Sequence, residues 1–160
     1  MALDRLRAKL EGLPEALNEQ LAGACWAQLR EGFNRPFLAL HLAAELYTAR
    51  ITLALALDLG WESRLRAGTD ADEILEGLPA QCRIPVEWML RFLVDQGLLE
   101  SHGDRVKLVG EAQTGLAEIR AFAAEESGPN MATFDLLDRV RAVIPPFFMA
   151  GKPGEPLLFD

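Results

Sequence analysis

A regular series of helix start and stop signals in the middle of the chain constrains its fold more than any other sequence feature. Thr69-Asp70 supplies an N-cap for a short helix predicted over Ala71–Leu78. Pro85 suits the first turn of a second helix, and Gly97 ends that helix in the manner of a left-handed C-cap. Two short apolar runs then flank a polar, glycine-containing loop at residues 101–105. This spacing predicts a β-hairpin directly after the second helix.

Longer helical patterns precede and follow this segment of short helices and hairpin. The first 35 residues repeat leucines at three- and four-residue spacing, which predicts one or two amphipathic helices. The apolar segment from Phe37 to Gly60 predicts one long helix. Two further helices are predicted over Gln113–Glu126 and Met131–Val143, and Pro145-Pro146 ends the second of them. Helix is therefore the dominant predicted element.

These elements together predict a mainly α fold. Its core is winged-helix-like, with three helices plus a β-hairpin over about Leu53 to Val109, and additional N- and C-terminal helices surround it. The predicted domains are an N-terminal helical extension (1–36), the winged-helix-like domain (37–110) and C-terminal helices with a linker (111–160). The alternative is that the same helices and hairpin pack in a different α+β core.

The charge balance does not favour nucleic acid as a partner of this fold. The 160 residues carry 24 acidic and 16 basic side chains, a formal net charge of −8. Residues 81–107 form the third helix and hairpin of the predicted core. They contain four basic and four acidic side chains, a net charge of zero. A helix that enters a phosphate-lined groove usually presents several unopposed Arg or Lys residues. We therefore expect neither nucleic-acid nor anionic-membrane binding.

Cysteine usage and the N-terminus predict a cytoplasmic, soluble chain. Cys25 and Cys82 lack Cys-x-x-Cys spacing, and only His41 and His102 could join them as soft ligands. We therefore predict no metal site and no disulfide scaffold. The first residues contain no apolar signal-peptide region. The apolar segment Leu38–Leu57 includes charged and titratable side chains, which favours a buried core helix over a membrane span.

Four segments resemble the N-terminal domain of S-adenosylmethionine-dependent small-molecule methyltransferases of the O-methyltransferase type. They are Leu55–Trp61, Gly68–Leu75, Val86–Glu100 and Gly103–Leu108. In that family the winged helix has lost DNA binding, dimerises with the partner subunit and covers the acceptor substrate. This chain departs from the pattern at Val106, where an aromatic residue is common, and at Val109, where threonine or serine is common.

The cofactor motif of that family is absent from this sequence. Its S-adenosylmethionine domain opens with a strand, an acidic residue and Gly-x-Gly-x-Gly, whereas no Gly-x-Gly occurs among these 160 residues. The resemblance therefore implies the non-catalytic N-terminal portion of a longer methyltransferase, with S-adenosylmethionine bound by a further domain and none bound by this chain. The alternatives are a winged-helix transcriptional regulator and a stand-alone protein-interaction module.

The candidate site residues are apolar and aromatic. Trp88 and Phe92 share one face of the predicted third helix, as residues that line a ligand pocket do. The last helices of the resembled domain cover the substrate, which adds Met131, Phe134 and Phe148 as lining residues for a small-molecule acceptor. The alternative for all five is an ordinary core. Neither cysteine lies in a nucleophile motif, so we predict no catalytic residue.

The resemblance implies a homodimer, and the sequence offers a surface for it. The helix Phe37–Leu57 is apolar nearly all round, so one small domain need not cover it completely. We expect self-association through this helix.

Overall fold

The computed structural model describes residues 3–11, 34–128 and 131–150. Over these residues the protein is mainly helical with a two-stranded antiparallel hairpin, which confirms the predicted fold class. The helices are α1 (residues 3–11), α2 (Arg35–Asp58), α3 (Glu62–Ala67), α4 (Ala71–Leu75), α5 (Arg83–Asp95), α6 (Leu116–Ser127) and α7 (Ala132–Ala150), and the strands are β1 (Leu99–His102) and β2 (Arg105–Leu108).

The described residues divide into two compact units, each with its own core. The first takes the residues up to Tyr47 and those from Gly115 to Phe134, and the second takes Thr48–Thr114 and the residues from Asp135 onward. The divisions after Tyr47 and after Phe134 fall inside helices, within α2 and within α7, and the third lies before α6, between Thr114 and Gly115. The predicted domain boundaries, after residues 36 and 110, stay a prediction.

Aromatic packing organises the first unit. Phe134 is fully buried, and its ring meets that of Tyr47 edge-on with the centroids 4.8 Å apart. The Arg7 guanidinium lies over the ring of the buried Phe122, 5.7 Å from its centroid. At the surface of this unit, Arg35 pairs with Glu126 at 3.1 Å. The rest of the predicted N-terminal helices, including Cys25, falls within residues 12–33, which lie outside the described residues.

The second unit contains the predicted succession of helix, short helix, helix and hairpin. The short helix α4 begins where the sequence predicts, because the Asp70 carboxylate accepts a hydrogen bond from the Glu73 backbone N–H at 2.8 Å. It ends at Leu75, three residues earlier than predicted. Gly77 follows at φ +81°, a left-handed conformation that ends the helix, and a 3-10 turn at Ala80–Cys82 then leads into α5.

The hairpin follows α5 as predicted. Gly97 lies just past the helix end at φ +67°, so glycine serves there as the stop signal. The strands pair from Leu99 with Leu108 to His102 with Arg105, which leaves a two-residue turn. Gly103 in that turn has φ +65°. An additional antiparallel backbone bridge joins Val106 of β2 to Thr69, in the segment before α4.

One helix of the second unit is absent from the sequence predictions. The helix α3, Glu62–Ala67, has only six residues, too few to show a helical period. Its position is explained by Leu65, which is fully buried in the same core as Ile74, Val86 and Leu93. Tertiary burial therefore stabilises a segment whose own pattern is weak.

The last helix corrects a prediction. Pro145-Pro146 was predicted to end it, but α7 continues to Ala150 with both prolines inside. A proline in a helix interior removes a hydrogen bond and crowds the preceding turn, at a cost of about 3 kcal/mol. The continued helix buries Phe148, which is 2% exposed and lies 6.0 Å from the Trp61 ring between centroids. Burial of that aromatic side chain offsets part of the cost.

The long helix α2 is largely covered by the rest of the chain. Among the described residues it alone is long and apolar enough to span a membrane by length and composition. However, 56% of its most apolar window is buried within the protein, as in the core helix of a globular domain. Residues 51–56 are all buried. Self-association through Phe37–Leu57 stays a prediction, and the exposed positions available for it include Phe37 and His41.

Candidate ligand cavity

A cavity of about 230 Å³ lies within the second unit, between α2, α5 and α7. Its lining is predominantly apolar, and each of the three helices contributes one stripe. The lining residues are Thr48, Ile51, Thr52 and Leu55 of α2, Pro85, Trp88 and Met89 of α5, and Leu137, Val140, Arg141, Ile144 and Phe148 of α7.

Helical spacing explains why these side chains converge. In α2 the lining positions follow each other at intervals of three, one and three residues, which keeps them on one helix face. In α7 the face begins at Leu137 and ends at Phe148, beyond the two prolines. The cavity therefore depends on the continuation of α7 that the sequence analysis did not predict.

The two threonines at the cavity wall do not make it strongly polar. The Thr52 hydroxyl donates to the backbone carbonyl of Thr48 at 2.8 Å, one turn earlier in α2. That hydrogen bond satisfies the Thr52 donor within its own helix. A ligand in the cavity consequently meets mainly hydrocarbon on this side.

Arg141 supplies the charged side chain among the lining residues. Its guanidinium donates two hydrogen bonds to the Asp58 carboxylate, from Nε at 2.8 Å and from Nη2 at 3.1 Å. This two-point geometry is the strong form of an Arg–carboxylate pair. Since Asp58 is the last residue of α2, the pair also ties the end of α2 to α7.

Trp88 forms the exposed wall of the cavity. Its side chain is 54% exposed although it lines the cavity, so the cavity reaches the surface on this side. The Phe92 ring stacks on it with centroids 5.0 Å apart and an interplanar angle of 7°. Phe92 thus fixes the orientation of Trp88 without being a lining residue itself.

The structure distributes the five predicted site residues over both units. Trp88 and Phe148 line the cavity from α5 and α7, and Phe92 supports Trp88 from behind. Phe134 and Met131 belong to the first unit, where Phe134 is fully buried against Tyr47 as part of the core. Contact of any of these residues with an acceptor stays a prediction.

Most of the cavity lining does not stand out in the amino-acid sequence. The stripe of α7 that includes Leu137, Val140 and Ile144 has regular helical spacing, but the local rule for proline predicts that this helix ends at residue 143. The lining stripe of α2 belongs to a helix that is apolar nearly all round, so the sequence does not distinguish the face that lines the cavity. A search for three- and four-residue spacing across the prolines would have shown the first stripe.

Ion pairs neutralise basic residues on the outer surface of α5 and the hairpin. Arg83 at the start of α5 pairs with Asp72 at 2.9 Å and with Glu87 at 3.2 Å. Arg105 in β2 pairs with Glu73 at 2.8 Å, and its hydrogen bonds hold the pKa of the Glu73 carboxyl below its ordinary value. These two arginines are half of the basic residues counted over residues 81–107. Their charges are therefore opposed locally, as the sequence count suggests.

Two observations on the described part of the chain concern metal and nucleophile chemistry. There, no group of three or more His, Cys, Asp or Glu side chains could hold a metal ion. The Cys82 thiol is fully buried at the start of α5, and burial raises its pKa, so the reactive thiolate is disfavoured.

S-adenosylmethionine, which the family resemblance implies, does not fit the described residues. Their strands form an antiparallel hairpin, and no glycine-rich loop among them joins a strand to a helix in the way that holds this cofactor. Comparison of the chain with models of known protein families, with curated proteins and with solved structures gave no match. A functional proposal therefore rests on the cavity and on the residues that surround it.

Proposed function

We propose that this chain binds a small apolar molecule in the cavity between α2, α5 and α7. Its role is that of the non-catalytic N-terminal portion of an S-adenosylmethionine-dependent methyltransferase, where it encloses the acceptor substrate and contributes to a homodimer. The observation that carries the proposal is the cavity of about 230 Å³ with its apolar lining and aromatic wall. Small-molecule sites are mostly apolar concavities with a few polar groups.

The cavity volume indicates the size of molecule that it accepts. An apolar cavity of about 150 Å³ binds benzene, which has six heavy atoms. Scaling by volume, about 230 Å³ accepts a compound of roughly nine heavy atoms, one ring with a short substituent or two fused rings. A larger acceptor fits only with part of its structure outside, on the exposed side formed by Trp88.

Within such an enzyme, this chain's residues bind and orient the acceptor and exclude water from it. The lining helices hold the ligand in one place, which lowers the entropic cost of bringing two reactants together. S-adenosylmethionine, bound by another domain, would supply the methyl group. The proposed setting is the cytoplasm, in the biosynthesis of small metabolites or natural products.

Ligand binding tests the proposal directly. Benzamide, with about nine heavy atoms, is a suitable neutral probe. Its titration into the protein is followed by NMR at the indole N–H of Trp88, one of three tryptophans in the chain. The Trp88→Phe variant assigns that signal. We expect a saturable shift of the Trp88 signal with a dissociation constant in the millimolar range, which is typical of such small ligands.

Two adjacent leucines provide a matched pair of variants for this titration. Leu137 lines the cavity, whereas its neighbour Leu136 is 60% exposed and lies outside the lining set. Leu137→Trp fills the cavity and should abolish the benzamide shift, while Leu136→Trp should leave it unchanged. Equal effects of the two substitutions, or no saturable shift in the native chain, would contradict the proposed site.

The methyltransferase part of the proposal has a separate test. We expect the reading frame after the codon for Asp160 to encode a strand followed by an acidic residue and Gly-x-Gly-x-Gly. Binding of S-adenosylmethionine by the longer product would then be the next measurement. A stop codon at that point would contradict the methyltransferase part of the proposal. A stand-alone binding module would then become the better interpretation.

The winged-helix transcriptional regulator remains the rival function, since the order of α4, α5 and the hairpin is the one such regulators use. The ion pairs of Arg83 and Arg105 weigh against it because a DNA-binding surface needs unopposed positive charge. Fluorescence anisotropy with mixed-sequence duplex DNA distinguishes the two. Binding that weakens steeply as salt rises would favour the regulator.

A further inference from the structure

The outer face of α5 carries a stripe of large apolar side chains. Ile84 and Trp88, four residues apart, are 79% and 54% exposed, and the partly buried Phe92 follows after four more residues and stacks on Trp88. This apolar stripe lies on the side of α5 away from Val86 and Leu93, which are buried in the core. Contiguous apolar side chains that are open to water mark interaction surfaces, whereas single ones do not.

A second stripe of α5, beside the first, carries charges of alternating sign. Its members are spaced four residues apart and are Arg83, Glu87, Arg91 and Asp95. Arg83 and Glu87 pair with each other at 3.2 Å. Arg91 and Asp95 are exposed and form no ion pair with any described residue. The order plus, minus, plus, minus makes this charged stripe complementary to a copy of itself that runs in the opposite direction.

Antiparallel packing of two α5 helices brings the charged stripes into register. When the two-fold axis passes beside residue 89 of each helix, Glu87 lies level with the partner's Arg91. In the same register, Arg83 lies level with the partner's Asp95. Every charge on the stripe therefore meets one of opposite sign across the contact, which is the complementarity that fixes register between protein surfaces.

The same register brings the apolar stripes together. A helix rises about 1.5 Å per residue, so the two Trp88 side chains lie within about 3 Å of each other along the helix axes. Ile84 lies at the same small offset, about 3 Å, from the level of the partner's Phe92. A single arrangement thus places apolar side chains against each other on one edge and opposite charges on the other.

We propose that a second copy of this chain docks antiparallel on the outer face of α5. This inference deepens the homodimer of the proposed function and rests on it, and it assigns the contact to α5 instead of the helix Phe37–Leu57. Trp88 is also the exposed wall of the cavity, so the second copy covers the cavity on its open side. Dimer formation thereby contributes to the enclosure of a ligand.

The size of the contact indicates a weak, reversible dimer. The helix α5 has 13 residues and is therefore about 20 Å long. A contact between two helices of this length buries less than the roughly 1,200 Å² at which stable interfaces begin. We expect a dissociation constant of about 10–100 µM, which analytical ultracentrifugation of the full chain measures over a concentration series.

Charge reversal on the charged stripe tests the contact most directly. Glu87→Arg and Arg91→Glu each place like charges opposite one another in the homodimer, so each should raise the dissociation constant at least about tenfold. An equimolar mixture of the two variants restores opposite charges across the contact, and the mixed dimer should form about as tightly as the native one. A substitution that acted only on the fold of its own chain would not be rescued by mixing.

The apolar stripe has its own variant and control. Ile84→Glu places two carboxylates in the apolar part of the contact and should also weaken the dimer at least about tenfold. Ile84 lies in the first turn of α5, where an acidic side chain is favourable, so this variant should fold. Leu136→Glu is the matched control, because Leu136 is a 60% exposed apolar side chain of α7 that belongs to neither stripe. It should leave the dissociation constant within about twofold.

The outcomes separate this inference from the proposed function. If the native chain dimerises and Phe37→Glu dissociates it while Ile84→Glu does not, the homodimer stands and its assignment to α5 is wrong. Failure of the mixed charge variants to associate would overturn the assignment in the same way. If the native chain stays monomeric up to about 1 mM, this inference and the homodimer fail together. The benzamide titration tests the cavity independently of these results.

Discussion

Thr69 is the fully buried polar residue of the second unit that links the hairpin to α4. Its hydroxyl donates to the Glu73 carboxylate at 2.8 Å, and its backbone exchanges two hydrogen bonds with Val106 of β2 at 2.7 and 3.0 Å. Replacement of Thr69 by valine removes the hydroxyl and keeps the backbone bridge. Valine has the same shape and is also β-branched, so the extended backbone is retained. The substitution therefore removes the short hydrogen bond to Glu73 and the longer one from the same hydroxyl to the Asp70 carbonyl at 3.3 Å, and it leaves the backbone unchanged.

The expected loss in the free energy of unfolding depends on the hydrogen bonds that the Glu73 carboxylate retains in the variant. A hydrogen bond to a charged group contributes about 1.5–3 kcal/mol, and the low end applies here because the Glu73 side chain is 42% exposed. Glu73 also retains two hydrogen bonds from Arg105, so no acceptor is left without a partner. The added methyl group returns up to about 0.8 kcal/mol by apolar burial. We therefore expect Thr69→Val to lower the free energy of unfolding by about 1 kcal/mol.

Urea unfolding followed by circular dichroism measures this change. The midpoint should fall while the slope stays constant, and the melting temperature should fall by roughly 2–4 °C for a chain of this length. Thr133→Val at an exposed position is the control and should alter stability by less than about 0.5 kcal/mol. An unchanged or higher stability of Thr69→Val would refute the argument that this hydroxyl ties the segment before α4 to Glu73.

Three further predictions follow from the same unit. The hydrogen bonds from Arg105 and Thr69 hold the pKa of Glu73 below its ordinary value, so its stabilising effect is complete above about pH 4.3 and is lost as pH falls through the lower folded pKa. Glu73→Gln should accordingly flatten the acid side of a plot of urea midpoint against pH, and an unchanged slope would count against the pairing. Leu65→Ala should cost about 2–5 kcal/mol in the same unfolding assay, because the side chain is fully buried, whereas Leu136→Ala at 60% exposure should cost less than about 0.5 kcal/mol. Burial raises the pKa of the Cys82 thiol, so in a Cys25→Ser background it should react with a thiol reagent only after unfolding, and rapid reaction of the native protein would show that the site opens.

The parts of the fold that could be predicted from the sequence are those with local causes. Asp70 caps α4 through its own side chain, and Gly97 and Gly103 adopt positive φ where a helix ends and where a hairpin turns. Each of these signals acts within about four residues, so one sequence contains all the information needed. The hairpin register follows in turn from the short loop between two apolar runs.

The parts that could not be predicted depend on contacts between distant segments. The six-residue helix α3 has too short a pattern to detect, and the continuation of α7 contradicts the local rule for proline. In both cases a buried side chain decides the result, Leu65 in α3 and Phe148 in α7. The cavity is also non-local, since its three stripes come from helices that are separated by long stretches of sequence. Two of its residues, Trp88 and Phe148, are among the predicted lining residues, Trp88 from its place on an aromatic helix face and Phe148 from the family resemblance.

Charge pairing on the surface of the second unit and charge pairing at its cavity favour the same kind of ligand. On the surface, Arg83 and Arg105 are opposed by carboxylates less than 3 Å away, which weakens the attraction that a phosphate backbone would need. At the cavity, Arg141 is opposed by Asp58 at 2.8 Å, which weakens the attraction for a small anion. A unit that evolved to hold a polyanion or a carboxylate would gain from leaving at least one of these guanidinium groups uncompensated. Their common pairing with acidic residues therefore supports an uncharged, mostly apolar ligand, for which the cavity lining supplies the binding energy.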